Sequence, residues 1–319
     1  MNGRDALAGP QPFSGQGFAS YGRTIQPGDR GYCLHGGNIP IGGLASARCD
    51  PPQPQPPPTC LKPPGIILPV RITYLGHATV LIELDGLRVL TDPLLRPRVL
   101  HLRRVAPVPT REQLAEVDVV LISHAHHDHL DTRSLRMLGG APRVLCPEPA
   151  RRAVAGAGST PEVMGVGGYV RAGEVEIEAV RAEHDGRRFP QDRRADALGF
   201  VVRGAGGSVY FAGDTGWFDE IGEVGEVDVA LLPVAGWGPR LGPGHLDPDE
   251  AARAAALISP RVAIPIHWGT YERVAMTLAG HRSDPARRFR DQLSELAPGV
   301  AAELLEPGAS LEIAPAPSA

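Results

Sequence analysis

Five of the six residues from His124 to His129 are histidine or aspartate, and they follow directly on the apolar run Val117 to Ser123. Imidazole and carboxylate groups crowded together at a strand end are costly to bury unless a cation pairs with them, so this hexad reads as a metal-binding loop. Neutral imidazoles and carboxylate oxygens suit borderline divalent ions, zinc first, with manganese or iron as alternatives. Such an ion polarises a carbonyl or phosphoryl oxygen and makes a hydroxide available at neutral pH, which is the chemistry of hydrolysis.

Three more ligand candidates stand at or just past the ends of predicted strands. They are His184 in Ala182-Glu-His-Asp, Asp214 in Phe211-Ala-Gly-Asp-Thr-Gly and His267 in Pro265-Ile-His-Trp-Gly-Thr. Taken alone, an Asp before Thr-Gly is as readily a turn or a helix cap; membership in an ordered set makes Asp214 a ligand. His127 carries no assigned role and is expected to point away. His77 divides between core hydrogen bonding and the floor of the site, and Asp92 between support of a ligating histidine and an Asx turn. His245, on the Gly242-Pro-Gly-His loop before a helix, is a candidate for substrate contact or for proton donation to the leaving group, against a helix-capping histidine.

Loops so far apart need strands to bring them to one edge. The segment Ile72 to Leu84 alternates and runs apolar, Gly86 turns the chain, and Leu87 to Asp92 continues as another strand, together a meander. Pro107 to Glu116 is expected to contain a short helix, and Val117 to Ser123 a buried strand. Further strands are expected near Arg143 to Cys146, Glu174 to Ala182, Leu198 to Arg203, Ser208 to Ala212, Val227 to Val234 and Arg261 to Ile266. Helices are expected at Glu148 to Ala155, Pro248 to Ile258 and Pro285 to Leu296. Asp247, Pro248 and Glu250 spell a capping box for the second of these. Trp217, Trp237, Trp268 and Tyr271 flank the site strings and read as core before pocket lining. Arg187, Arg188, Arg193 and Arg194 read as a solvated loop able to attract a phosphate or carboxylate, and Arg282 to Arg290 as the polar face of a terminal helix.

Taken in order, His-x-His-x-Asp-His, a lone His, a lone Asp and a final His resemble the metallo-β-lactamase-fold hydrolases, over about Val70 to Arg290. Tyr74-Leu-Gly-His-Ala-Thr-Val-Leu-Ile, Leu90-Thr-Asp-Pro-Leu, Gly244-His-Leu-Asp-Pro-Asp-Glu-Ala and Ile266-His-Trp-Gly-Thr-Tyr resemble the branch that holds L-ascorbate-6-phosphate lactonase and the N-acyl-phosphatidylethanolamine-hydrolysing phospholipase D. The resemblance implies an α/β protein, an αββα sandwich with two divalent metal ions at one edge of the paired sheets. It implies that His124, His126 and His184 hold the first metal, that Asp128, His129 and His267 hold the second, and that Asp214 bridges them. The nucleophile is then a hydroxide held by the metals and oriented by Asp128, attacking an ester, lactone or phosphodiester bond of a small-molecule or lipid-like substrate. An iron site doing redox chemistry and a non-catalytic metal-binding regulator are the two other readings.

Composition narrows the field. The chain has 319 residues, 42% hydrophobic and 21% charged, with a formal net charge of −4. That is a globular balance with no basic field for a nucleic-acid backbone. No apolar stretch approaches the ~20 residues of a membrane helix, and the N-terminus lacks a secretory signal pattern, so the cytoplasm is the expected compartment. Residues 1 to 66, with Asp50-Pro-Pro-Gln-Pro-Gln-Pro-Pro-Pro-Thr-Cys, show no hydrophobic period and are expected to be a disordered Pro/Gly-rich leader; a Pro-rich recognition motif is the alternative. Patterning begins abruptly at Val70, and initiation there would place the leader outside the natural protein. Residues 67–319 are expected to form one hydrolase domain. Cys33, Cys49 and Cys60 fall in the leader and Cys146 stands alone, at no zinc-knuckle or disulfide spacing. Nothing in the composition fixes an oligomeric state.

Overall fold

A computed structural model describes residues 68–236, 241–273 and 284–316. The expected leader, Trp237 and the start of the Arg282 to Arg290 run lie outside the described residues, as do Cys33, Cys49 and Cys60.

The chain opens with β1 (Val70–Gly76), β2 (Thr79–Leu84) and β3 (Leu87–Thr91), then a short pair, β4 (Arg98–Val99) and β5 (Leu102–Arg104), before β6 (Val119–Leu121), the helical turn α1 (Thr132–Leu135) and β7 (Arg143–Cys146). Helix α2 (Arg151–Gly156), β8 (Pro161–Val163), β9 (Tyr169–Ala172), β10 (Val175–Ala182), β11 (Ala197–Gly204), β12 (Gly207–Phe211) and β13 (Val229–Pro233) follow. Helix α3 (Pro248–Ile258), β14 (Val262–Ile266), β15 (Tyr271–Arg273), α4 (Pro285–Leu296), β16 (Ala301–Ala302) and β17 (Ser310–Ile313) complete the described elements.

Two seven-stranded sheets form, in the orders β17-β1-β2-β3-β6-β7-β8 and β16-β14-β13-β12-β11-β10-β9. Strand alternation explains how they pack, since successive side chains leave opposite faces. Val209 and Phe211 of β12 point into the core between the sheets with Ile72, Val80 and Ile82, while Tyr210 between them joins a second core with Phe289 and Leu293 of α4 and the alanines of α3. On the far side of the first sheet, Leu81 and Val120 pack with Leu135 of α1 and Val154 of α2. Helices therefore cover both outer faces, the αββα sandwich that the motifs imply.

The expected helices at Pro248–Ile258 and Pro285–Leu296 form with those bounds, and the Asp247 carboxylate accepts from the backbone N–H of Asp249 and Glu250 at 2.9 and 2.8 Å. Three expectations need correction. The Ile72 to Leu84 run is not one strand: it breaks at His77 and Ala78, where Gly76 and His77 both take positive φ, +113° and +58°. Pro107 to Glu116 holds turns and no helix. Thr110 and Gln113 exchange side-chain-to-backbone hydrogen bonds as a capping box would, but only Leu114 of the segment packs on a core, too little burial to sustain a helix nucleus. Glu148 to Ala155 begins as a 3-10 turn, with Pro149 in it, before α2. The short strands β8, β9 and β17 escape the pattern because three or four residues carry almost no period; β17 is fixed by pairing across the chain with β1, Val70 opposite Ile313.

Candidate metal centre

Strand direction sets where the ligands emerge. In the first sheet β3, β6, β7 and β8 run parallel. In the second, β12, β13 and β14 run parallel, and β10, antiparallel to β11, shares their direction. The hexad follows β6, His184 follows β10, Asp214 follows β12 and His267 follows β14, so all of them leave C-terminal strand ends, where irregular backbone can aim several side chains at one point.

That backbone is strained where it matters. His77, Asp92 and His267 adopt positive φ of 58°, 31° and 66°, a region that costs a non-glycine residue about 1–3 kcal/mol. Each is held in place: the His77 N–H donates to Thr270 Oγ1 at 2.6 Å, the His267 N–H to the His77 carbonyl at 2.8 Å, and the Asp92 N–H to the Leu121 carbonyl at 2.8 Å. Gly213 has φ +62°, and a Cβ there would meet the Ser123 Cβ at 2.5 Å, so only glycine lets the Asp214 loop come this close to the hexad.

Three imidazole nitrogens converge first. His124 Nε2 lies 2.9 Å and His184 Nε2 3.1 Å from His126 Nδ1. Their tautomers follow from what the other nitrogens face. His184 Nδ1 is 2.7 Å from the Gly244 carbonyl, which can only accept, so it carries the hydrogen. Ser123 Oγ donates to Asp92 Oδ2 at 2.5 Å and is thereby left to accept from His124 Nδ1 at 2.9 Å. Both Nε2 lone pairs then point at His126 with no hydrogen of their own between them. Burial holds these rings neutral: it drives His124 well below the usual histidine value, His184 below it, and His126 down to about 4, with the neighbouring His184 adding to the last.

The second group is charged. His129 Nδ1 donates to Asp92 Oδ2 at 2.7 Å, which turns Nε2 toward Asp214 Oδ2 at 3.1 Å and Asp128 Oδ2 at 3.7 Å. His267 Nε2 reaches Asp214 Oδ1 at 3.4 Å, and His77 Nε2 reaches Asp128 Oδ2 at 3.3 Å. Burial by itself would lower His129 and raise the two aspartates. Mutual attraction outweighs it, holding His129 well above and Asp128 and Asp214 well below their ordinary values. Burial takes His267 down to about 3. His129 Nε2 and Asp214 Oδ1 are buried without a hydrogen bond, which in a well-packed interior marks a missing partner. A cation supplies that partner for both, and the Nε2 lone pairs of His124 and His184 that face His126 Nδ1 can take the same partner. The donor sets thus fit divalent ions: His124, His126 and His184 in one group, and Asp128, His129 and His267 with His77 in another. Asp214 reaches toward both through His129 and His184.

All seven sequence-predicted ligands therefore come together at one edge. His245 joins them, its Nε2 3.4 Å from Asp214 Oδ2 and its ring 4.8 Å from that of His184, while Nδ1 donates to the Gly242 carbonyl at 3.2 Å. His127 turns aside, as expected, onto the Phe189 ring at 5.4 Å. Asp92 is a buried support that anchors His129 directly and His124 through Ser123, resolving its two readings. His77 lies on the floor of the site, its ring 3.9 Å from that of His267. Ser123 itself was not singled out in the sequence; its position just before the hexad was the one available signal. Trp268 packs against both main cores and Trp217 against the second, and the Tyr271 hydroxyl donates to the Arg96 carbonyl at 2.7 Å. Tyr271 is thus buried in a small core, while the two tryptophans are partly buried against the larger ones.

A family model described as a beta-lactamase superfamily domain matches residues 87–268. A metal-dependent hydrolase of Methanopyrus kandleri is 38% identical over 251 residues, 76% of this chain and 100% of that protein. N-acyl-phosphatidylethanolamine-hydrolyzing phospholipase D 1 of Caenorhabditis elegans is 31% identical over 255 residues, 70% of this chain and 68% of the relative. Among solved structures, Igni18, a metallo hydrolase from Ignicoccus hospitalis, aligns with a TM-score of 0.60 and 25% identity over 76% of this chain and 98% of its own. Fold, ligand order and relatives agree, and the chain belongs to the beta-lactamase superfamily as a member with the metallo-β-lactamase fold of its metal-dependent hydrolases.

Proposed function

We propose that this protein is a dinuclear metal-dependent hydrolase that cleaves an ester, lactone or phosphodiester bond in a small-molecule or lipid-like substrate. His124, His126 and His184 would hold one ion, Asp128, His129 and His267 the other, and Asp214 would stand between them. When bound, the ions supply a nucleophile from water at neutral pH and Lewis acidity toward the scissile oxygen, with zinc the first choice and manganese or iron the alternatives. The chain's own residues do the rest. Asp128 would accept a hydrogen bond from the nucleophile and so orient it. Asp92 and Ser123 fix the tautomers of His129 and His124, keeping a lone pair of each directed inward. His245, whose pKa burial would lower but which Asp214 holds above the ordinary histidine value, is placed to carry a proton to the leaving oxygen.

The observation that carries this reading is the meeting of His124 Nε2, His126 Nδ1 and His184 Nε2 within 3.1 Å contacts beside the buried Asp214 carboxylate. Metal analysis of the purified protein is expected to find about two divalent equivalents per chain. A panel of an aryl acetate, a lactone and bis-p-nitrophenyl phosphate is expected to reveal turnover that falls about 10³-fold in Asp128→Ala and His126→Ala, with the circular dichroism of the fold retained. Turnover that survives either change, or that persists after the metals are stripped, rejects the mechanism.

A further inference from the structure

Beside the metal centre lies a cavity of about 570 Å³ that the ligands do not line. It belongs to the same sheet edge. Because β6, β7 and β8 run parallel, Pro147 after β7 and Met164 after β8 emerge on the side where the hexad follows β6, and both line the cavity. Most of the remaining lining comes from residues 187–196, the loop that leaves His184. This loop is fastened to the hexad: the Ala125 N–H donates to the Gly186 carbonyl at 3.1 Å, and Arg188 Nη1 donates to the carbonyls of Ala125 and Leu130 at 2.8 and 3.1 Å.

The lining is rich in arginine. Arg187 and Arg194 are already matched, with Asp185 at 3.1 Å and Glu183 at 3.4 Å. Arg152, Arg188 and Arg193 make no ion pair among the described residues, although Glu148, Asp192 and Asp196 share the lining. Arg188 is half-buried, and burial lowers its pKa against the opposing pull of Asp131. Its hydrogen bonds to Ala125 and Leu130 go to neutral carbonyls and it makes no ion pair, so a guanidinium drawn partly out of water still gains from an anion. Several forked cations around one cavity match the oxygens of a phosphate better than a single carboxylate.

We infer that this cavity receives a phosphate group carried by the substrate, holding it beside the metal edge while the bond to be cleaved reaches the ligands. The inference rests on the hydrolytic reading for the word substrate, but the binding it asserts stands by itself.

The test is calorimetric titration of the metal-loaded protein with inorganic phosphate. Phosphate could also bind the metals, so three proteins are compared. Arg152 and Arg193 make no side-chain hydrogen bond to other described residues, so the double variant Arg152→Gln, Arg193→Gln is expected to keep its fold and its metal content. It is expected to bind phosphate at least about tenfold more weakly, the effect of one lost charge-assisted hydrogen bond. His126→Ala, which cripples the metal centre, is expected to keep phosphate affinity within about threefold of the parent. Unchanged affinity in the arginine variant, or affinity lost in His126→Ala alone, overturns the inference. Repeating the titration with glycerol phosphate and with phosphatidylglycerol vesicles tells a soluble ester from a lipid headgroup: the probe whose affinity falls in the arginine variant is the class that fits, and a fall in neither counts against the cavity. Since the readout is binding, failure of the hydrolysis panel leaves it unaffected.

Discussion

His124, His126 and His184 meet as three neutral rings, whereas His129 meets Asp128 and Asp214 as a cation between two anions. Neutral donors cost little to bury and need no counter-charge, so the first group is already in its ligating form near neutral pH. The second group has built-in negative charge, and with no metal present a proton on His129 stands where a cation belongs. A divalent ion entering the first group displaces no proton from these rings, while one entering the second must release the proton of His129. The two groups share their supports: Asp92 reaches both, and Asp214 touches His129, His267 and His245 together.

The comparison breaks most completely if Asp214 is removed. Asp214→Ala takes away the carboxylate between the groups and leaves His129 Nε2 without the anion nearest to it, so turnover is expected to fall at least about 10³-fold. Metal content should drop by about one equivalent. Elemental analysis and steady-state rates check this, and a variant that keeps both metals and most of its rate would mean that the groups act independently. Asp92→Asn is milder than removal: one accepting oxygen becomes an NH2 that cannot accept, so part of the Ser123 and His129 hydrogen bonding is lost along with the charge that fixes two tautomers. Metal affinity is expected to weaken about 10–100-fold. A chelator competition that shows no change would assign Asp92 a purely structural role.

The smallest effect sharpens the electrostatic contrast. In the stripped protein, burial lowers His77, His124, His126, His127, His184 and His267, taking His126 to about 4 and His267 to about 3. Unfolded, these rings take up protons below about pH 6.5, while in the folded state they refuse them. Stability is therefore lost as pH falls from about 6.5 toward about 4. His129 and His245 are raised and act oppositely, their contribution being present below about 6.5 and lost as pH rises. With six lowered rings against two raised among the described residues, the melting temperature of stripped protein is expected to drop by several degrees between pH 7 and pH 4.5. A flat profile over that range would deny that the imidazoles are held neutral.

How much of this was legible beforehand differs by element. Helices α3 and α4 were read with their bounds, α3 on the capping box of Asp247 and Glu250 and the Pro248 at its first turn. The strands β7, β10, β11, β12 and β14 were read to within a residue or two at each end, since buried alternation is local. The strand end at Gly76 was hinted at by the glycine before His77, but the conformation of the break was not, because it is set where Thr270 and His267 hold His77 from elsewhere in the chain. The helix expected in Pro107 to Glu116 failed for the converse reason: its local cap is present, and no tertiary face rewards it.

By residue type and order, the chain determined that seven ligand candidates exist and that each follows a strand, because ligand chemistry and strand alternation are written in single residues and their near neighbours; the sandwich itself was implied by resemblance to a known family. Only the folded structure decided the tautomers, the charge on each group, the support given by Asp92 and Ser123, and the placement of His77 and His245. Those depend on which atoms from distant segments come within about 3 Å of one another. Distances of that kind are properties of packing, and no spacing along the chain encodes them.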